Sequence, residues 1–268
     1  MKIFESNTYN PLMNSIMVYP CNIKHSQKVQ IDGKLASKQY NNLVNTLIEQ
    51  GTKVHFLDLN DSPSQLFARD IGFVIDDILF ISNMTDPARK SEIEGLVALT
   101  KEYNLKHHIM KNNVEGGDIL VHDKQVFIGQ GERTNEGAVA EISSVLSDNN
   151  KKYELVKVFF EKSRIHLDCV FNILDKDTCI ISPELFNPQD VIKYFLKVIE
   201  LPRDDLDSLP SNIITPGNNL VLCSSKKFCD KLSQEGYNSI FIEFTEIIKE
   251  KGSLGCCMLP LQRMMPNK

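Results

Sequence analysis

One unit recurs along this chain and limits what it can fold into. FVIDDILFIS (73–82), ILVHDKQVFIG (119–129), VFNILDKDTCIIS (170–182) and NIITPGNNLVLCSS (212–225) share a design. Each is an apolar or β-branched run, a centre of Asp, Asn, Lys or Gly, and a second such run, which is the pattern of a β-hairpin. Behind each hairpin lies a stretch with apolar residues three and four apart: PARKSEIEGLVALTKEY, TNEGAVAEISSVLSD, PQDVIKYFLKVIE and SKKFCDKLSQEGY. That spacing is the helical period. Short strands follow at LKHHIM, YELVKVF and NSIFIEF. The unit returns every roughly 40 to 50 residues, a spacing that marks repeat architectures.

A fifth unit can be assembled from the two ends of the chain. MNSIMVYP, a helix around KLASKQYNNLVNTLIEQG and the strand KVHFLDL would join the C-terminal CCMLPLQR. Closing a ring with both chain ends leaves few exposed sheet edges. The expectation is one α/β domain, residues 1–268, with pseudo-fivefold repeats about a central axis. A doubly wound parallel sheet is the alternative, and the repeated hairpins argue against it. PRDDLDSLPSN (202–212) reads as a solvated turn within this domain rather than a linker.

Composition narrows the function classes. A net charge of −5 and the lack of a basic cluster argue against nucleic acid as a partner. No apolar run approaches the roughly 20 residues of a membrane span. The opening MKIFESNTYNPLMNSI lacks the continuous apolar core of a secretory signal. Seven cysteines, an odd number without a CxxC pair, fit free thiols in a reducing compartment, so a cytoplasmic protein is expected. Six histidines without HExxH or ligand spacing give no reason to expect a metal.

The polar chemistry falls at the mouths of the hairpins. LFARDIGFVI carries Arg69 and Asp70, VEGGDIL carries Glu115 and Asp118, and RIHLDCVF carries His166 and Asp168. GQGERTNEG sets Arg133 just before a helix start, with Thr134 or Asn135 as N-cap. GSLGCCMLPLQR closes the last unit with Cys256 and Cys257 side by side. On an extended segment neighbours point to opposite sides, so the two thiols cannot share one task. The pair by itself leaves open which is a nucleophile, or whether both merely fill the core. A repeat fold would gather these mouths at one end of the ring. A thiol, an imidazole that titrates near neutrality and several carboxylates would suit a flat guanidinium, which offers five donors in a rigid fork.

FARD, EGGD, ERTN, HLD and GCCMLPLQR, in this order, resemble the guanidine-modifying enzymes of the amidinotransferase superfamily, among them dimethylarginine dimethylaminohydrolases, arginine deiminases and amidinotransferases. The resemblance runs from the first hairpin to the C-terminus. It implies a five-bladed α/β propeller (the pentein fold) and a catalytic set of Cys256, His166 and Glu115. Counting back from Pro260, Leu261 and Arg263 in that pattern selects Cys256 and leaves Cys257 facing the core. It further implies Asp70 and Asp168 against the guanidinium, and Arg133 and Arg89 against the substrate's carboxylate, with Asp118 structural. The implied activity is hydrolysis of a guanidinium C–N bond to a ureido product such as citrulline, without metal or cofactor. Arginine deiminase-type activity, amidino transfer, and a non-catalytic binding protein on the same propeller are the alternatives. Chain length is similar to the dimethylarginine hydrolases, whereas Asp168 is an arginine-deiminase feature. Ser253-Leu254-Gly255 departs from the deiminases' usual Gly-Pro-Arg before the cysteine. The partner implied is a small guanidino compound, with neither nucleic acid nor membrane involved, and a homodimer is compatible with it.

Overall fold

A computed structural model of the chain describes residues 1–22, 30–62 and 64–265. Its strands are β1 Leu12–Met17, β2 Lys53–Phe56, β3 Gly72–Ile75, β4 Ile78–Ile81, β5 His107–Ile109, β6 Ile119–His122, β7 Gln125–Gly129, β8 Glu154–Val158, β9 Phe171–Ile173, β10 Thr178–Ile181, β11 Lys197–Glu200, β12 Ile214–Gly217, β13 Leu220–Cys223, β14 Asn238–Phe241 and β15 Leu259–Arg263. Among the described residues they form five three-stranded sheets, ordered β15-β1-β2, β3-β4-β5, β6-β7-β8, β9-β10-β11 and β12-β13-β14. The first sheet joins the two ends of the chain, with Ser15 opposite Pro260 and Ile16 opposite Leu259. Each sheet is a blade of a five-bladed α/β propeller.

Within a blade the first two strands are antiparallel and the third is parallel to the second. The hairpins turn on residues that tolerate the left-handed region: Asp76 at φ 56°, Asp123 at 50° and Asn218 at 55°. A parallel third strand requires a crossover. Helices supply it: α1 Gly33–Glu49, α2 Glu94–Glu102, α3 Glu136–Asp148, α4 Gln189–Ile192 and α5 Lys226–Gln234. Three of their starts are capped by side chains. Asp32 accepts from the N–H groups of Lys34 and Leu35, Asn135 (not Thr134) from Ala138, and Ser225 from Phe228.

The continuous apolar runs of the hairpins have a simple cause: both faces of a blade are buried. In β3 and β4, Phe73, Ile75, Ile78 and Phe80 pack against Ile119, Val121, Val126 and Ile128 of the next blade. Their alternate neighbours Val74, Leu79 and Ile81 pack the other way, against Ile16, Leu259 and Leu261. Apolar layers between blades thus hold the ring together, as period-two alternation requires.

Two expectations need correction. PQDVIKYFLKVIE was expected as one helix, but only Gln189–Ile192 is α-helical, and Lys197–Glu200 is the third strand of its blade. Val198 and Ile199 lie opposite Cys179 and Ile180 in a parallel ladder. A short apolar run satisfies either period, and pairing with β10 decides it. Cys256 and Cys257 were expected on an extended segment. They instead occupy a 3-10 turn, Gly255–Cys257, and the strand starts at Leu259. At about 120° per residue in such a turn, the two sulfurs still diverge. Among the described residues no helix is long and apolar enough to cross a membrane.

Phe80 is fully buried and stacked on Phe73 at a ring separation of 5.0 Å. Phe80→Ala is expected to destabilise the protein by about 3–5 kcal/mol in urea denaturation. A loss below about 1 kcal/mol would contradict a tightly packed layer between these blades.

Candidate active site

Four blades enter their first or closing strand through a short 3-10 turn. Ala68–Ile71 carries Asp70, Gly116–Asp118 follows Glu115, Leu167–Cys169 follows His166, and Gly255–Cys257 carries Cys256. The Ala68–Ile71 turn packs on those at 255–257 and 116–118, and the latter packs on 167–169. Four distant sequence motifs therefore meet where the blades converge. The glycines of EGGD permit this. A Cβ on Gly116 would fall 2.2 Å from the backbone oxygens of Arg69 and Gly72. One on Gly117 would fall 2.7 Å from Cγ of His166, so the imidazole lies on bare backbone.

His166 is held from two sides. Nε2 is 2.9 Å from Oε2 of Glu115, and Nδ1 is 3.4 Å from Oδ1 of Asp70. The ring is 2 % exposed. Burial opposes its charged form, but the Asp70 charge, the hydrogen bond to Glu115 and the Asp118 charge outweigh it and push the pKa up to about 10. Burial likewise opposes ionisation of Glu115. The His166 N–H and charge, with Arg89 and Arg133, nevertheless hold that carboxyl below its ordinary value. Oε1 of Glu115 also accepts the Thr85 N–H at 3.2 Å.

Asp118 joins two motifs rather than facing the centre. It accepts from the Thr134 hydroxyl at 2.6 Å and from the Leu167 N–H at 2.9 Å, which ties the EGGD turn to the HLD turn. Burial pushes its carboxyl up to about 7.

The arginines differ from one another. Arg89 is buried and engaged: Nη1 is 3.0 Å from Oδ2 of Asp70 and 3.5 Å from Oε2 of Glu115, while Nη2 is 2.8 Å from Oε2 of Glu92. A guanidinium thus already lies across Asp70 and Glu115. Arg133 is looser, its side chain 27 % exposed and Nη1 3.6 Å from Oε1 of Glu115. Oδ1 of Asp70 is buried beside Nδ1 of His166 but accepts no hydrogen bond among the described residues.

The sulfur of Cys256 lies within 4.8 Å of the Cys169 sulfur and of an Asp168 carboxylate oxygen, and Asp70, Glu115 and His166 form a second group equally compact. These two groups are where metal-ligating atoms come close together among the described residues. Asp168 belongs to the motif that carries His166, two residues after it. Burial raises its carboxyl to about 6 against the pull of His166 and Arg69. The Cys256 N–H donates to Oδ1 of Asn212 at 3.1 Å, which fixes the turn. Cys257 is fully buried and lies in one apolar cluster with Tyr40 and Leu43, and burial pushes its thiol well up.

Several of these residues were not singled out from the sequence. Glu92 had a signal, since an acid three residues after Arg89 shares its side of a helical turn. Cys169 and Asn212 had none. The first looked like core and the second like a turn former.

A five-bladed α/β propeller that gathers cysteine, histidine and carboxylates where its blades converge has the fold of solved dimethylarginine dimethylaminohydrolase structures. Residues 14–263 match the family described as N,N dimethylarginine dimethylhydrolase, eukaryotic, and the chain belongs to that family. It is 32% identical over 246 residues to the uncharacterized protein YkgA of Bacillus subtilis, covering 90% of this chain and 85% of that one. The N(G),N(G)-dimethylarginine dimethylaminohydrolase of Mycobacterium tuberculosis is 26% identical over 237 residues, 86% of this chain and 77% of that one. A mutant dimethylarginine dimethylaminohydrolase from Pseudomonas aeruginosa, complexed with citrulline, superposes with a TM-score of 0.80 at 21% identity. That match covers 93% of this chain and 99% of the other.

The charge balance around His166 is testable without substrate. Its imidazole is expected to stay protonated through neutral pH and titrate near 10 by nitrogen-detected NMR. Its contribution to stability is then complete below about 6.5 and is lost as pH climbs toward about 10. Glu115→Gln removes a negative partner and should move the midpoint down. A midpoint near 6.5 in the parent protein would contradict this electrostatic picture.

Proposed function

We propose that the protein is a cysteine hydrolase that cleaves a C–N bond of an arginine-like guanidinium, giving a ureido product such as citrulline and an amine or ammonia. The observation that carries this reading is the state of Asp70. With Glu115 it already grips one guanidinium, that of Arg89, at 3.0 and 3.5 Å, while its other oxygen, 3.4 Å from Nδ1 of His166, accepts no hydrogen bond among the described residues. A buried carboxylate oxygen without a hydrogen bond is costly, and a substrate N–H would supply one beside the imidazolium. Membership in the dimethylarginine hydrolase family supports the same chemistry.

In this mechanism the substrate guanidinium enters against Asp70 and Asp168 with its planar carbon over Cys256. Arg89 gives up Asp70 and keeps Glu92, which frees one side of its guanidinium for the substrate's carboxylate beside Arg133. A bound cation favours the Cys256 thiolate. The sulfur attacks the central carbon, and the tetrahedral adduct collapses as His166 protonates the departing nitrogen. His166, charged at neutral pH, is suited to that first step. The S-alkylthiouronium left behind is attacked by water, which gives its proton to the now neutral imidazole. The carbon–sulfur bond then breaks to release the ureido product and the thiol. Glu115 and Asp70 keep the imidazole oriented through both steps.

A second reading concerns the substrate. Asp168 lies within 4.8 Å of the Cys256 sulfur, and a second carboxylate against the guanidinium leaves less room for N-methyl groups. That favours unsubstituted arginine, hydrolysed to citrulline and ammonia. Transfer of the amidino group to an amine uses the same thiol and is separated by its guanidino product.

The test is a panel of arginine, monomethylarginine and dimethylarginine with and without an acceptor amine, read as citrulline, released amine and new guanidine. Cys256→Ser should lower turnover by about 10³-fold or more, while Cys257→Ser should cost less than about tenfold. Comparable losses in the two variants would reject the assignment of Cys256. Absence of turnover on every guanidine, with no cysteine labelled by a guanidine-based electrophile, would favour a binding protein instead.

A further inference from the structure

Cys169 has no part in the hydrolytic scheme, yet it lies against the cysteine that does. The two sulfurs are within 4.8 Å of each other, and neither belongs to a disulfide. Cys169 also lines a cleft of about 300 Å³, together with Arg164, Asp207 and Lys251 among others, so the pair is open to solvent from the Cys169 side. We propose that Cys169 and Cys256 form a reversible redox site in which a hydroperoxide converts the two thiols into a disulfide.

The chemistry divides between the two sulfurs. The Cys256 thiolate attacks the O–O bond of the peroxide. A sulfur–oxygen bond forms, the O–O bond breaks, and the other oxygen leaves as water (as an alcohol from an organic peroxide) after taking a proton. The sulfur has lost two electrons and the peroxide has gained them. Cys169 then attacks the Cys256 sulfenic acid, forming the S–S bond while the S–O bond breaks and the oxygen departs as water. Cys169 is not the sulfur that meets the peroxide first. The hydrogen bond with Cys256, burial and the Asp168 charge hold its thiol well above the ordinary range, so it resists the first oxidation. It also donates to Oδ1 of Asp168 at 3.5 Å, which holds its sulfur on the side of Cys256. Closure needs the sulfurs to approach to about 2.05 Å, a movement that side-chain rotation and a small shift of two short turns can supply. A dithiol reductant reverses it. The disulfide occupies the sulfur that the guanidine chemistry needs, so oxidation reversibly shuts the site. It also spares Cys256 from sulfinic acid, which does not revert.

The test reads mass rather than turnover, so its result is independent of the substrate question. The full chain is treated with hydrogen peroxide and analysed intact and by peptide mapping. Cys223 and Cys229 form a second close pair, so the Cys223→Ser background is used. The expected result is loss of two hydrogens, a cross-link between the peptides bearing Cys169 and Cys256, and full reversal by dithiothreitol. Cys169→Ser should abolish the link and divert Cys256 to oxygen adducts that dithiothreitol does not remove. If that variant fails to fold, the peptide map of the parent decides alone. A link between Cys256 and Cys257, oxygen addition to Cys256 without any link, or no change would each overturn the proposal. Turnover should fall about tenfold or more on oxidation and return on reduction, because a disulfide sulfur is not a nucleophile. Only this last expectation rests on Cys256 being the catalytic thiol.

Discussion

The imidazole of His166, pinned 2.9 Å from Glu115 and 3.4 Å from Asp70, is the contact on which the rest of the centre depends. Isolated buried charges are too costly to persist, and they survive here because each has an opposite partner. Asp70, Glu92 and Glu115 surround Arg89 and His166 in a space that is almost closed to water. A cluster of this kind adds little net stability, since desolvation consumes most of the attraction. It supplies a preorganised field with a surplus of negative charge, and the natural complement is a cation.

The fold explains how such a cluster forms from residues so far apart in sequence. Every blade repeats hairpin, crossover and parallel strand, and the turn that leads into it lies close to the axis. Asp70 and Cys256 lie in 3-10 turns, and Glu115 and His166 immediately before comparable turns, on different blades. The apolar layers between blades set the distances among these turns, and the glycines of EGGD let backbone and imidazole touch. The fifth blade contributes differently, through Asn212, whose amide oxygen receives the N–H of Cys256.

Much of this was legible in the residues. Hairpins with Asp or Asn at the turn announce themselves, and their period revealed the ring, including the blade shared by the two chain ends. The motifs at the hairpin mouths pointed to His166, Glu115 and Asp70, which the fold does bring together. Other features were hidden for physical reasons. FLKVIE reads equally well as helix or strand, and only pairing with Thr178–Ile181 fixes it. Arg89 looked like a free cation for a substrate carboxylate, because two of the three acids around it, Asp70 and Glu115, are supplied by other turns. Cys169 sits in a buried apolar stretch, and nothing local says that another cysteine, brought from the opposite end of the chain, lies beside it.

The central claim is that sulfur 256 bonds to the carbon of a guanidinium. Acid-quenched single turnovers of the full chain with arginine or its methylated forms, followed by intact mass and peptide mapping, test it most directly. The account predicts a transient adduct with the mass of the substrate minus ammonia or the alkylamine, located on Cys256. Product formed with no such adduct at any time point, or an adduct located on Cys257, would contradict it.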